Sequence, residues 1–266
     1  MNPVQFGQKG TTLTGIYHSP RAAVARDASV LICSPIGQEY MRTHWTIRQL
    51  AIRLAEAGIH VLRFDYLGTG DSDGDMGDST VEVWAENVQL ALSELYELSG
   101  VREPTMVGVR LGAMISAVAG ARGPIHAPRL VFWDPVVHGS EYLANLTQIH
   151  AYIVQVARLF PPISSDELVG FRYPHQLRRE IEALDLTGLL AGLGSVQVDV
   201  LTTESRPEYA RLLGVLENLQ IKGDRVHVAD PGTWDVPEKA RIAMLADKTV
   251  KAVSSLVGGL AGDGAP

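Results

Sequence analysis

Arg110 stands at the centre of Gly108-Val109-Arg110-Leu111-Gly112, between the apolar run Pro104-Thr105-Met106-Val107 and the small-residue stretch Ala113-Met114-Ile115-Ser116-Ala117. A strand, a tight turn and a helix are the setting in which the pattern G-x-S-x-G presents a nucleophilic serine. The two glycines fit such a turn, because its central residue sits in a strained backbone conformation and a Cβ on either side would collide with neighbouring chain. A guanidinium stays charged and has no nucleophilic lone pair, so Arg110 can bind an anion or polarise a carbonyl but cannot form an acyl-enzyme. Beside the N-terminus of the following helix it would hold a carboxylate, phosphate or enolate. The plain alternative is an arginine paired with a nearby carboxylate.

Further candidates lie where apolar runs end. Ser29 to Cys33 leads into Ser34-Pro35-Ile36-Gly37-Gln38-Glu39-Tyr40, a loop that offers Gly37 and Tyr40 to a substrate and Glu39 as a general base or as the counter-ion of Arg110 or Arg42. His44 follows, as a catalytic candidate or a plain helix-entry residue. Asp134 closes the run Leu130 to Trp133 and could move a proton, or hydrogen-bond its own turn as an Asp-Pro pair. His138 could reach the same pocket, and Leu111 follows the arginine directly. A serine triad would need an acid and then a histidine late in the chain. Asp134 and Glu204 could supply the acid, but the last strand exits into Asp230-Pro231-Gly232-Thr233-Trp234-Asp235, with Thr233 or Trp234 in the place of the base. A conventional hydrolase would have to use Ser34, Ser205 or Cys33. Asp71 and Asp73 resemble a metal loop only superficially, and neither a metal nor an organic cofactor is expected.

The elements that must position these residues read as an α/β alternation. Short alternating segments at 3–17 predict an edge hairpin. Strands are expected at 29–33, 60–65, 104–109, 130–134, 196–201 and 225–229, and helices at about 44–57, 79–98, 113–121, 206–219 and 237–257, with Ser79 and Glu82 as a capping box. That order implies a mostly parallel eight-stranded sheet with helices on both faces, whose ligands sit at the carboxyl ends of the strands. Residues 139–190 break the alternation and are expected to form a helical cap over the core of 1–138 and 191–258, with 259–266 as a frayed tail. Leu143, Leu146, Ile149, Tyr152, Ile153, Val156 and Leu159 make one apolar stripe on the cap, expected in part to line a chamber for an acyl or polycyclic group.

Composition narrows the classes. The chain has 266 residues, 46% of them apolar and 20% charged, which describes a globular domain. A net charge of −7 gives no electrostatic reason to expect nucleic acid, and no run has the length of a membrane span. The start of the chain lacks a signal-peptide pattern, so a cytoplasmic location is expected. Cys33 is the lone cysteine, which excludes an internal disulfide.

Over nearly its whole length the chain resembles the α/β hydrolases, and more closely the second type of hydrolase associated with the exosortase A system, with the wider serine-aminopeptidase-like group. The matching stretches are Phe64-Asp65-Tyr66-Leu67-Gly68-Thr69-Gly70-Asp71-Ser72, Gly77-Asp78-Ser79-Thr80 with Trp84, Gly108 to Ala113, Trp133-Asp134-Pro135-Val136-Val137, and Tyr142-Leu143. The resemblance implies the α/β-hydrolase fold with a cap, and a setting beside an exopolysaccharide or secondary-metabolite pathway.

Two functional readings follow. In the first, an enzyme acts on a small molecule with an apolar body and an anionic or carbonyl group, by hydrolysis, acyl transfer, elimination or cyclisation. Arg110 fixes an oxygen, Glu39 or Asp134 moves a proton with His44 nearby, and Gly37, Tyr40, Leu111, His138 and Trp234 line the site. In the second, a catalytically silent relative binds an anionic small molecule or a partner protein. A homodimer is compatible with either.

Overall fold

A computed structural model describes residues 1–22, 24–123, 127–156 and 165–258. Leu159 of the cap stripe and the tail at 259–266 lie outside the described residues.

The strands of the main sheet are β1 (Asn2–Phe6), β2 (Leu13–His18), β3 (Ser29–Cys33), β4 (His60–Phe64), β5 (Thr105–Val109), β6 (Arg129–Trp133), β9 (Gln197–Thr202) and β10 (Arg225–His227); β7 (Glu167–Leu168) and β8 (Phe171–Arg172) form a separate hairpin. The sheet order is β1-β2-β4-β3-β5-β6-β9-β10. β2 runs antiparallel to β1 and β4, and every later pairing is parallel. The expected mostly parallel eight-stranded sheet is therefore present. Its central strands are buried on both faces, which is why they read as unbroken apolar runs rather than as alternation.

The helices are α1 (Gly37–Glu56), α2 (Val81–Ser99), α3 (Leu111–Arg122), α4 (Gly139–Gln155), α5 (His175–Glu182), α6 (Leu186–Leu190), α7 (Pro207–Asn218) and α8 (Asp247–Gly258). Successive strand residues feed opposite layers. Leu31, Met106, Leu130, Phe132 and Val198 pack with α2, α3, α6 and α7, whereas Val30, Ile32, Val107, Val131, Trp133 and Leu201 pack with α1 and α8. No helix among the described residues is long and apolar enough to cross a membrane.

Three expectations need correction. α1 begins at Gly37, seven residues before the expected start, so Glu39 and Tyr40 are helical and not on a loop. The polar first turns hid the helix, because their buried face is made of Gln38, Glu39, Arg42, Thr43 and Thr46 rather than apolar residues. The helix expected at 237–257 divides into a short 3-10 turn at Pro237–Lys239 and α8. The cap of α2 is Thr80, whose hydroxyl accepts from Val83 N. Ser79 instead donates to the Leu67 carbonyl, and Glu82 pairs with Arg122.

Candidate active site

The parallel ladder brings Arg110, Asp134 and Thr203 together. Val109 registers with Trp133, and Trp133 with Leu201, so the residues that follow these strands emerge side by side. Arg110 N donates to Trp133 O, Asp134 N to Leu201 O, and Val136 N to Arg110 O, which carries the pairing one step past the strands.

The turn at Arg110 has the geometry expected of a nucleophile elbow. Arg110 has φ 52° and ψ −121°, a conformation that a non-glycine residue holds only where its surroundings over-determine it. A Cβ at Gly108 would run into the Ala113 backbone, and one at Gly112 into the Cys33 carbonyl at the end of β3. Five described non-glycine residues have positive φ, and Arg110, Asp134 and Thr233 are three of them. The backbone strain is thus concentrated at one place.

Arg110 is buried and held on three sides. Its Nε donates to Glu39 Oε1 at 2.9 Å and its Nη1 to the Asp134 carbonyl at 2.9 Å. Its guanidinium carbon lies 4.8 Å from the centre of the Trp234 ring, within cation–π range. Burial by itself would weaken the proton's hold, but Glu39, Tyr209 and Asp134 outweigh it and raise the pKa above the usual arginine value. Among the described residues Glu39 Oε2 is buried with no hydrogen-bond partner, and so is Tyr209 Oη.

Trp234 stands where a triad would carry its histidine. The indole Nε1 donates to Asp134 Oδ2 at 2.9 Å, as a histidine Nδ1–H would donate to its acid. Asp134 also accepts from Thr203 N at 2.7 Å and Thr203 Oγ1 at 2.6 Å. Burial raises its pKa, and the bonds from Thr203 and Trp234, with the nearby Arg110, oppose that rise. An indole N–H donates only, with no lone pair to take a proton. Arg110, Trp234 and Asp134 thus meet at the ends of the strands, and neither a guanidinium nor an indole N–H has a lone pair with which to attack or to take a proton.

Arg42 holds the loop that carries Trp234. Its guanidinium donates to Gly232 O at 2.8 Å and to Thr233 Oγ1 at 3.1 Å, and lies 5.5 Å from the Trp234 ring centre. Glu204 is committed as well, accepting from Thr233 N and pairing with Arg206.

The other candidates separate. Leu111 is the first residue of α3, directly after Arg110. Gly37 has φ 57°, and a Cβ there would sit 2.7 Å from Tyr173 Oη. His138 lines a cavity of about 310 Å³ together with Arg110, Glu141, Tyr142, Arg206 and Asp235. Tyr40 instead donates to Asp65 Oδ1, and the His44 ring packs at a tilt against Trp45 with centres 4.9 Å apart; each lines cavities that do not include Arg110. The rotation of α1 explains this: Tyr40 is about 100° around the helix from Glu39, and His44 about 140°. Cys33 is buried and its thiol is pushed up to about 12 by burial, so it is a protonated core residue. Ser34 is buried and Ser205 is exposed, each away from a histidine partner among the hydrogen bonds of the described residues. Asp73 ties the edge hairpin through Thr12 N, which is its local task.

Sequence reasoning missed Thr203, Tyr209 and Arg206 as parts of the site. Thr203 follows the last residue of β9, so the rule that sites gather at strand ends could have found it. Tyr209 and Arg206 belong to α7 and its N-cap, and carry no local signal.

Comparison with known proteins agrees with this fold. The family model for serine aminopeptidase, S33, matches residues 25–190. No curated protein matches the chain. Among solved structures, a thermostable carboxyl esterase from Bacillus coagulans superposes with a TM-score of 0.66 at 14% identity, covering 97% of this chain and 98% of that one. Est1E from Butyrivibrio proteoclasticus gives 0.62 at 17% identity, with 97% of each chain covered. An alpha-beta serine hydrolase homologue from Coxiella burnetii gives 0.59 at 13%, covering 98% of this chain and 97% of that one. Identities this low speak for the fold alone, while the family match spans more than half of the chain. With its hydrolase sheet and its elbow after β5, the chain belongs to the serine aminopeptidase S33 family of α/β hydrolases.

Proposed function

We propose that this protein has exchanged covalent catalysis for binding, and that the cavity beside Arg110 holds a small polar molecule with an anionic or carbonyl group. One observation carries the reading: Trp234 Nε1 donates to Asp134 while Arg110 lies over the indole, so no nucleophile–base pair exists at the elbow. The cavity is polar and carries both signs of charge, Arg110 and Arg206 against Glu141, Glu208 and Asp235. Its occupant therefore presents hydrogen-bond donors as well as an anionic or carbonyl oxygen. Pro135, Val136, Val137 and Ala144 add a smaller apolar wall, against which the apolar body expected from the sequence would lie.

A panel of activated esters with a fluorophosphonate probe tests the first half. Wild type is expected to show neither acyl-enzyme burst nor covalent label, and labelling at any serine would overturn the reading. Calorimetry with small carboxylates tests the second half, with loss of binding expected in Arg110→Met.

A second reading keeps an enzyme, and the free Glu39 Oε2 favours it. Glu39 would then be the proton-moving group, since all three donors on Asp134 would have to be displaced before it could serve. Turnover that vanishes in Glu39→Gln while ligand affinity holds would establish this reading. Residues 139–190 act as the lid in either case. The resemblance to exosortase-A-associated hydrolases supports a role beside exopolysaccharide or secondary-metabolite synthesis.

A further inference from the structure

A larger chamber, about 730 Å³, opens between the first half of α1, the last turns of α4, the β7–β8 hairpin and the segment 240–243. Arg110 is not among its lining residues. We propose that this chamber is a second ligand site, and that it takes an apolar carboxylic acid.

Its walls supply the apolar part. Met41, Trp45, Ile153, Val154, Phe171 and Ile242 line it, and Met41, Trp45 and Ile242 remain 66%, 50% and 51% exposed. A volume of this order suits a molecule of drug size or a medium acyl chain.

The charged lining is net cationic. Arg42 and Arg241 face the chamber against one carboxylate, Glu167, with the imidazoles of His44 and His150 beside them. Arg42 is only 4% exposed, and its hydrogen bonds go to the carbonyls of Gly232, Thr233 and Ile242 and the Thr233 hydroxyl. Among the described residues no carboxylate lies within ion-pair distance of it, which is unusual for a buried cation. His150 Nδ1 accepts from Val169 N at 3.0 Å, so the neutral ring carries its proton on Nε2 as a donor. Gln38, on the same wall, is held by the bond from its Nε2 to Ala240 O. A wall with a fixed imidazole donor and a buried cation whose hydrogen bonds go to neutral oxygens is completed by an anion. A carboxylate at the cationic end, with its hydrocarbon on Trp45, Ile153 and Phe171, would complete the charge balance. The elbow reading is not needed for this inference, because the two cavities share no lining residue.

Trp45 provides a direct readout, because Trp84, Trp133 and Trp234 are fully buried. The full chain is titrated with decanoate, below its micellar range, and with decanol as the uncharged match, following tryptophan fluorescence and heat. Saturable one-to-one binding is expected, with decanoate about tenfold tighter than decanol or better and the fluorescence change absent in Trp45→Phe. Arg241→Gln, at an exposed position, is expected to narrow the difference between acid and alcohol, and Ile153→Glu to abolish binding of the acid. Equal affinity for acid and alcohol, no saturable binding, or indifference to both substitutions would overturn the proposal. Should Ile153→Glu fail to fold, the acid-to-alcohol ratio in Arg241→Gln still decides.

Discussion

Arg110 and Glu39 are 5% and 2% exposed, and each is the main reason the other is tolerated in the interior. Removing one partner of such a pair strands a buried charge, at about 3–5 kcal/mol. Arg110→Met is therefore expected to lose that order of stability in urea denaturation, and Glu39→Gln, which keeps an acceptor oxygen, to lose less. The double variant should lose clearly less than the sum, and strict additivity would show that the two are not coupled. Trp234→Phe removes one of the three donors on Asp134 and keeps a ring under the guanidinium. A loss of about 1–3 kcal/mol is expected, and a smaller one would mean that Thr203 alone satisfies the carboxylate.

At the scale of elements, the site depends on α3 approaching the end of β3 closely. Gly112 allows this contact, since a Cβ would meet the carbonyls of Cys33 and Ser34. Gly112→Ala must separate helix from strand, and a loss above about 3 kcal/mol is expected from thermal denaturation; a variant as stable as wild type would contradict the packing. α1 shows a different dependence. It runs through Glu39, Arg42, Thr43 and Thr46 with polar residues on its buried face, and its first turns are held by the site it serves. Arg42 reaches the carbonyls of the Trp234 loop, so the helix that carries the counter-ion of Arg110 also fixes the indole on which Arg110 stacks.

For the whole molecule, pH acts through groups far from the elbow. His18, on β2, receives a hydrogen bond from Arg63 Nε on β4 and is 2% exposed. Burial first, and Arg63 next, lower its pKa from 6.5 to about 4. The folded chain then resists a proton that the unfolded chain takes up below about pH 6.5, so stability falls as pH drops from there towards about 4. The slope from this one group is at most about 1.4 kcal/mol per pH unit. Denaturation midpoints at pH 7.5, 6 and 5 should show the fall, and His18→Asn should flatten it. An unchanged slope would place the acid sensitivity elsewhere.

The sequence alone determined the α/β alternation, the position of the elbow and the absence of a serine and a late histidine. Periodicity and glycine spacing are local properties, and a missing residue type can be read directly. It also offered Arg110, Glu39, Asp134 and Trp234 singly, as residues in the segments that follow strands. Tertiary structure alone decided how they combine: that Glu39 is the counter-ion of Arg110, that Trp234 takes the histidine's bond to Asp134, and that His44 and Tyr40 point elsewhere. Those outcomes depend on the parallel register of β5, β6 and β9 and on a helix whose polar start hides its periodicity. The apolar chamber likewise formed away from the arginine expected to serve it, because its walls come from α1, α4, a hairpin and the segment 240–243, brought together only by folding.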